Sequence, residues 1–263
     1  MNMLKHAFFI GGLLLSAACF GHTPYLKPMS FEPSRSGVVS LDASFAEKFF
    51  VPDVAFANSI YAVIQPDGKT VSPNILSQLK TRVVVEHTLE EDGTYRFSTG
   101  KRLGRVFKMY ELDGKRHSMK NPKEAIPKGG KLLSFFQSLT LAETYVSKGA
   151  PSNTAFAAYN SGLEFIPVTH PNDIFVDEPF EFSALFNGKS LADLKVSVFL
   201  AKDQFTDEKP VFELISSKKG KLSFTPKEAG TYLLLARHRS DAPASSPAPQ
   251  ISNTYTLVIE AVE

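Results

Sequence analysis

The feature that most constrains this chain is the alternation of apolar and polar residues with a period of two, interrupted by turns that contain Pro and Gly. Such alternation is typical of β-strands that bury one face, and little helix-period patterning competes with it. The pattern therefore predicts an all-β fold. Strands are predicted at residues 37–45, 59–64, 81–87, 93–97, 105–110, 163–167, 180–186, 195–200, 221–224, 230–236 and 254–259.

Two other segments depart from this strand pattern. Leu132, Phe135, Phe136 and Leu139 fit a helical stripe, whereas the later part of residues 132–146 also fits a strand, so helix and strand both stay open there. Residues 115–131 are basic and contain Pro and Gly, which predicts an exposed loop.

Short motifs recur in the two halves of the chain. Gly93-Thr94-Tyr95 and Gly230-Thr231-Tyr232 each open a predicted strand and have a glutamate two residues before the glycine. In immunoglobulin-like sandwiches, a Tyr hydroxyl at such a corner hydrogen-bonds back to the backbone. Asn187-Gly188, between two apolar runs, predicts a tight hairpin. We therefore predict two tandem immunoglobulin-like antiparallel β-sandwich modules, with domains at residues 22–150 and 160–263.

Residues 1–21 have the three-part pattern of a secretory signal peptide, with a basic start, an apolar run and small residues at the end. The apolar run is shorter than the roughly 20 residues that a membrane-spanning helix needs, so we expect no transmembrane segment in the mature chain. Cleavage before His22 and cleavage before Cys19 both fit. The second would give a lipoprotein, but Ser16 replaces the usual Leu of a lipobox, so lipid anchoring through Cys19 is the weaker alternative. We expect a periplasmic protein.

Composition and motifs exclude several classes of function. The 29 Lys and Arg residues nearly balance 27 Asp and Glu residues, so the basic surplus typical of nucleic-acid-binding proteins is absent. Cys19 is the only cysteine, and a chain processed before His22 therefore has neither a disulfide nor a thiol nucleophile. The sequence contains no serine-hydrolase elbow, phosphate-binding loop, dinucleotide fingerprint or HExxH motif. We predict a protein that is not an enzyme.

Histidines are the candidate metal ligands. If cleavage exposes His22, its α-amine and imidazole Nδ1 can chelate one metal ion, and the α-amine, with an ordinary pKa of about 7.7–8.0, releases a single proton near neutral pH. Pro24 has no backbone N–H to join the chelate, so further ligands must come from elsewhere. Nitrogen-rich sets suit Ni²⁺ or Cu²⁺. The alternative is that His22 is a frayed terminal residue without a role.

The other histidines have simpler interpretations. His238 ends a predicted strand between two arginines and is a second metal ligand, an anion contact or a solvated strand end. His87 is in phase with core positions, which predicts a buried histidine whose ring is satisfied. His170 is expected in a turn, and His117 in a solvated loop.

Residues 22–28 resemble the mature start, His-x-x-aromatic-Leu-x-Pro, of a bacterial periplasmic family of unknown function that is often described as a nickel-uptake substrate-specific component (NikM-like). Residues 162–171 and 187–196 are similar to its central segment and to a turn followed by a strand, and residues 229–238 to its final strand. The sequence departs from the family pattern at Ser190, where Pro is usual, and at His170, where Asp or Asn is commoner.

The resemblance implies an exported β-sandwich protein linked to transition-metal uptake without catalysis, and it carries over His22 and, less directly, His238. We therefore predict that the protein binds or delivers Ni²⁺, with Cu²⁺ and Co²⁺ as alternatives, and that a membrane metal transporter is its partner. The alternative function is a structural or interaction module that contacts an envelope partner or ligand without metal.

Overall fold

The computed structural model describes residues 22–33, 37–201 and 209–263, so the predicted signal peptide lies outside the described residues. This part of the chain contains nineteen strands, one 3₁₀ turn at Thr154–Phe156 and no α-helix, which confirms the all-β prediction. None of its helical segments is long and apolar enough to cross a bilayer. The strands are β1 (Thr23–Pro28), β2 (Val38–Ala46), β3 (Val54–Ala55), β4 (Ala62–Ile64), β5 (Thr70–Val71), β6 (Ile75–Gln78), β7 (Val83–Thr88), β8 (Gly93–Ser98), β9 (Arg102–Leu112), β10 (Lys115–Ser118), β11 (Lys131–Lys148), β12 (Leu163–Pro167), β13 (Phe180–Phe186), β14 (Lys189–Ser190), β15 (Lys195–Leu200), β16 (Phe212–Ile215), β17 (Lys221–Phe224), β18 (Gly230–Asp241) and β19 (Gln250–Ala261).

These strands form three sheets. The N-terminal sheet has the order β1-β2-β7-β6, with β3 paired to β2. The C-terminal sheet contains β12, β13, β14 and β17. The central sheet has ten strands in the order β16-β15-β18-β19-β11-β8-β4-β5, with β9 paired to β11 and β10 paired to β9. Its β11 and β19 run parallel, and this pairing joins strands from both halves of the chain.

The two smaller sheets pack on opposite faces of the central sheet. Alternate side chains of β11 show this directly, because Leu141 and Tyr145 lie in one core and Ala142 and Val146 lie in the other. Successive side chains of a strand point to opposite faces of its sheet. The predicted β-sandwiches are therefore present, but they share the central sheet. Since β11 contributes to both cores, the predicted boundary at residues 150–160 stays a prediction.

Both recurring motifs form the corner that the sequence predicts. The Tyr95 hydroxyl donates to the Glu91 carbonyl oxygen at 2.9 Å, and the Tyr232 hydroxyl donates to the Glu228 carbonyl oxygen at 2.7 Å. The glycine that opens the first strand, Gly93, has φ +136°, and a Cβ there would lie 2.6 Å from the Pro66 Cβ. Glycine is therefore required at this corner by conformation and by space.

The hairpin prediction is confirmed as well. Asn187 and Gly188 have φ 51° and 73°, and they connect the paired residues Phe186 and Lys189. Positive φ at both central residues is the signature of a type I′ turn, whose twist matches that of the flanking strands.

The ambiguous segment 132–146 is part of the strand β11. Its pairing with β9 shifts register between Leu132 and Ser134 and again between Gln137 and Leu139. Each shift interrupts the two-residue period, which explains why the apolar residues imitate a helical stripe. The predicted exposed loop at residues 115–131 begins with a short strand, β10, and is otherwise irregular.

Candidate metal centre

His22 lies opposite two carboxylates at one end of the N-terminal sheet. Thr23 pairs with Ala46, so the antiparallel register places His22 across from Glu47. The chain then turns back, and the Asp53 N–H donates to the Phe45 carbonyl oxygen at 3.1 Å. As a result, His22 Nε2 lies 3.7 Å from Asp53 Oδ2 and 3.9 Å from Glu47 Oε1.

The loop that carries these carboxylates is anchored by two aromatic residues. Phe49 is buried and packs edge-on against Phe199, with ring centroids 5.4 Å apart. Phe50 contacts the Tyr25 ring of β1 in the same manner, at 4.9 Å. The Glu47 N–H also donates to Asp53 Oδ2 at 2.8 Å, which ties the two ends of the loop together. The acidic pair is thus held beside the strand that presents His22.

This arrangement suits a histidine that binds a cation through Nδ1. Metal-bound imidazoles commonly direct their second ring nitrogen toward a carboxylate, which fixes the tautomer and raises ligand basicity. The distances from Nε2 exceed direct hydrogen bonding, so a direct contact would require a bridging water or a small side-chain rotation. The three side chains are 43%, 38% and 65% exposed for His22, Asp53 and Glu47 respectively, and the centre is therefore open to solvent.

The described side chains alone do not complete a metal site. Within residues 22–33, 37–201 and 209–263, no group of three or more His, Cys, Asp or Glu side chains is placed to hold a metal ion. A site at His22 therefore depends on the α-amine that cleavage before this residue would release. With that amine, the donors are two nitrogens of one residue, with Asp53 and Glu47 supplying negative charge nearby.

The structure does not bring His238 to His22. Leu233 and Leu235 of β18 pack with Tyr25 of β1, whereas the alternate residues of β18 face the C-terminal core. His238 belongs to this second set, and its ring lies 4.6 Å from the Phe186 ring. Burial lowers the pKa of His238. The two predicted ligands therefore occupy opposite faces of the central sheet.

His87 is buried, as predicted, but its ring is not satisfied. It packs edge-on against Tyr95 and Phe97 in the N-terminal core, and neither ring nitrogen has a hydrogen-bond partner in the described part of the chain. Burial lowers the pKa of His87, and the nearby Glu90 opposes this shift. The ring is therefore held neutral in an apolar setting.

His170 does more than its turn requires. Its Nδ1 accepts from the Asn172 N–H at 3.1 Å, which leaves Nε2 to donate to Thr94 Oγ1 at 2.9 Å. Thr94 belongs to β8, so His170 connects the linker after β12 to the central sheet. His117 is exposed and stacks on Tyr110, with ring centroids 5.2 Å apart. Among the described residues, neither His170 nor His117 belongs to a group of three or more side chains that could hold a metal ion.

Sequence reasoning missed a cluster of fully buried charges. Arg96 and Glu143 are fully buried, and the guanidinium donates through Nε at 3.1 Å and through a terminal nitrogen at 2.5 Å to Glu143 Oε2. Burial acts to lower the pKa of Arg96, but Glu143 and neighbouring tyrosines hold it well above its ordinary value. Tyr159 and Tyr255 donate to the same carboxylate at 2.8 Å and 2.6 Å. This cluster joins β8, β11, β19 and the segment between β11 and β12, and we assign it a structural role because its donors and acceptors pair with one another.

Comparison with known proteins places the chain in a family. Residues 19–240 match the family described as a domain of unknown function, DUF4198. The chain belongs to the DUF4198 family. The resemblance stated from short motifs is thus confirmed at the level of a family of unknown function, and the nickel-uptake description stays a prediction. No curated protein matches this DUF4198 chain.

Solved structures resemble the DUF4198 chain only slightly. The D0–D1 domain of intimin aligns with a TM-score of 0.21 and 10% identity over 89% of this chain and 96% of that one. A DUF4785 family protein from Legionella pneumophila gives a TM-score of 0.25 and 13% identity over 81% of this chain and 51% of that one. The chicken CNTN1 FN1–FN3 domains give a TM-score of 0.23 and 9% identity over 92% of this chain and 100% of that one. Similarities this low do not indicate a shared function or ligand.

Proposed function

We propose that this DUF4198 protein is exported to the periplasm, is cleaved before His22 and binds a divalent transition metal for delivery to a membrane transporter. The observation that carries the proposal is the position of His22 Nε2, 3.7 Å from Asp53 Oδ2 and 3.9 Å from Glu47 Oε1. With Nε2 directed at carboxylates, Nδ1 is left to chelate together with the new α-amine. Two nitrogens suit Ni²⁺ first, and Cu²⁺ or Co²⁺ next.

An open chelate also suits delivery. A cargo metal must leave as well as bind, and a site built from one terminal residue on an exposed strand end needs no unfolding to release it. The half-exposed His22 ring fits this requirement. The carboxylates of Glu47 and Asp53 attract the cation and orient the ring, and neither has to be a ligand for the proposal to hold.

Calorimetric titration of the chain that begins at His22 with Ni²⁺ tests this proposal. Affinity is expected to rise with pH as the α-amine loses its proton, near its ordinary pKa of about 7.7–8.0. Glu47→Gln with Asp53→Asn is expected to weaken binding about 10- to 100-fold, as for other groups that orient a ligand. Asp113→Asn with Glu124→Gln removes the same charge elsewhere and serves as the matched control.

One added residue ahead of His22 decides the outcome, because it turns the amine into an amide and removes the chelate. Unchanged affinity after this addition would refute the proposal, as would absence of Ni²⁺ binding. His238→Ala is expected to leave affinity unchanged, since His238 faces the opposite side of the central sheet. A loss of affinity in His238→Ala would instead restore His238 as a ligand in a different arrangement.

An interaction module without metal is the second candidate function, and the edge of the N-terminal sheet favours it. The edge strand β6 is exposed along its whole length, including the apolar residues Ile75 and Leu76. Exposed apolar edges are templates for pairing with another chain. This candidate predicts purified protein that carries no stoichiometric metal and that loses a partner after Leu76→Lys. Retention of the partner in Leu76→Lys would contradict it.

A further inference from the structure

Residues 102–138 form an arm that lies outside both cores. It consists of β9, β10, the segment 119–130 and the first part of β11, and we call it the β9–β11 arm. No residue between Lys101 and Leu139 is buried, although every residue of this stretch is described. The strand β9 pairs only with β10 and β11, so the arm is an extension of the central sheet through β11.

Local contacts order the arm in place of a core. Phe107 stacks on Phe136, with ring centroids 5.1 Å apart. Lys108 Nζ lies 4.9 Å from the Phe135 ring centroid and donates to the Glu124 carbonyl oxygen at 2.6 Å. The segment 119–130 is thus fastened to the strands beneath it, and the arm presents a defined surface.

That surface is strongly basic. Residues 102–138 contain nine Lys or Arg and three Asp or Glu, a formal charge of +6, whereas the whole chain carries only +2. The rest of the chain is therefore net acidic, and the positive charge is concentrated on the arm. Seven of the basic side chains are exposed, and none of the seven is in an ion pair with another described residue. They are Arg105, Lys115, Arg116, Lys120, Lys123, Lys128 and Lys131.

Large apolar side chains are exposed among these cations. Leu132 and Leu133 follow Lys131 directly and are 47% and 40% exposed, and Leu103 is 60% exposed. Apolar side chains set among unpaired lysines and arginines are what a peripheral protein needs at an anionic bilayer, because the cations attract the headgroups while the apolar groups enter the interface.

We propose that the β9–β11 arm docks the protein on the surface of a bilayer that contains anionic phospholipid. Six of the seven exposed cations, from Lys115 to Lys131, lie at the far end of the arm with Leu132 and Leu133. The charge favours an anionic partner, and the exposed leucines favour a bilayer over a purely polar polyanion. The arm shares no residue with the His22 centre, so this proposal holds or fails independently of metal binding.

Flotation with lipid vesicles tests the proposal. The full chain, produced with its own residues 1–21 so that the cell processes it, is mixed with phosphatidylcholine vesicles with or without one third phosphatidylglycerol. Binding is expected only with phosphatidylglycerol and is expected to decline as salt rises. In the variant K115Q/R116Q/K120Q/K123Q, each lost charge is expected to lower the partition coefficient about fivefold, so the four together should lower it about 600-fold.

The variant K189Q/K218Q/K219Q/K221Q is the matched control, since it removes four exposed lysines from the C-terminal module. It is expected to retain binding, and circular dichroism checks that both variants fold. Equal loss in the two variants, or equal binding to both kinds of vesicle, would overturn the proposal. The proposal would also be overturned if the protein did not bind the vesicles but could be cross-linked through the arm to another protein in intact cells. That result would indicate a protein partner.

Discussion

Two buried tyrosines allow one chemical change to be made in opposite hydrogen-bonding contexts. Tyr145 and Tyr255 are both fully buried against the central sheet. The Tyr255 hydroxyl donates to Glu143 Oε2 at 2.6 Å, whereas the Tyr145 hydroxyl has no hydrogen-bond partner among the described residues. Tyr255→Phe and Tyr145→Phe remove the same atom, so any difference between them reports the partner alone.

The two substitutions are expected to change the free energy of unfolding differently. A hydrogen bond to a charged group contributes about 1.5–3 kcal/mol, so Tyr255→Phe should lower the free energy of unfolding by that amount. Tyr145→Phe removes an unsatisfied buried hydroxyl and should leave this free energy unchanged or raise it by about 1 kcal/mol. For a chain of this size, 1 kcal/mol corresponds to about 2–4 °C, so Tyr255→Phe should lower Tm by about 3–12 °C.

Urea unfolding followed by circular dichroism measures both variants. The dependence of the unfolding free energy on urea should be the same in each, which shows that the native and unfolded states are unchanged in compactness. Equal losses in the two variants, or a larger loss in Tyr145→Phe, would refute the assignment of Glu143 as the carboxylate that organises this cluster.

Two further perturbations test the N-terminal core. Burial lowers the pKa of His87, so as pH falls the unfolded state takes up a proton at a higher pH than the folded state does. The free energy of unfolding should therefore fall as pH drops below about 6.5, by up to about 1.4 kcal/mol per pH unit. His87→Leu should reduce this slope in urea titrations at several pH values, while His117→Leu is the control, and an unchanged slope in His87→Leu would contradict the argument. Gly93→Ala should cost about 3 kcal/mol or more, because Pro66 occupies the space of the new methyl group at φ +136°. Gly114→Ala, where φ is +71° and the space is open, should cost only about 1–2 kcal/mol, and equal costs in thermal denaturation would show that the contact with Pro66 is unimportant.

The features that sequence predicted well are local ones. The corners at Tyr95 and Tyr232 and the turn at Asn187 depend on residues within five positions of each other, so glycine conformation and turn chemistry are enough to define them. Most strands were also predicted, since one buried face imposes the two-residue period. The prediction was undecided at β11, where register shifts remove that period.

The features that sequence could not predict depend on contacts between distant segments. Nothing local relates His22 to Asp53, which become neighbours only through the register of β1, β2 and β3. Arg96, Glu143 and Tyr255 come from three strands, and no spacing rule identifies them as partners. The basic composition of residues 115–131 is visible in the sequence, but the pairing that joins this segment to β9 and to the start of β11 in one exposed arm is not.

The parallel pairing of β11 with β19 has a consequence for how this molecule comes apart. Nine consecutive residue pairs, from Phe136 with Gln250 to Thr144 with Val258, connect the first half of the chain to its last strand. Excising either half would strip one of these long strands of its neighbour and leave an unprotected ladder of amide groups, a known route to aggregation. Neither half is therefore expected to survive as a separate fragment, and heating should melt both in a single cooperative step.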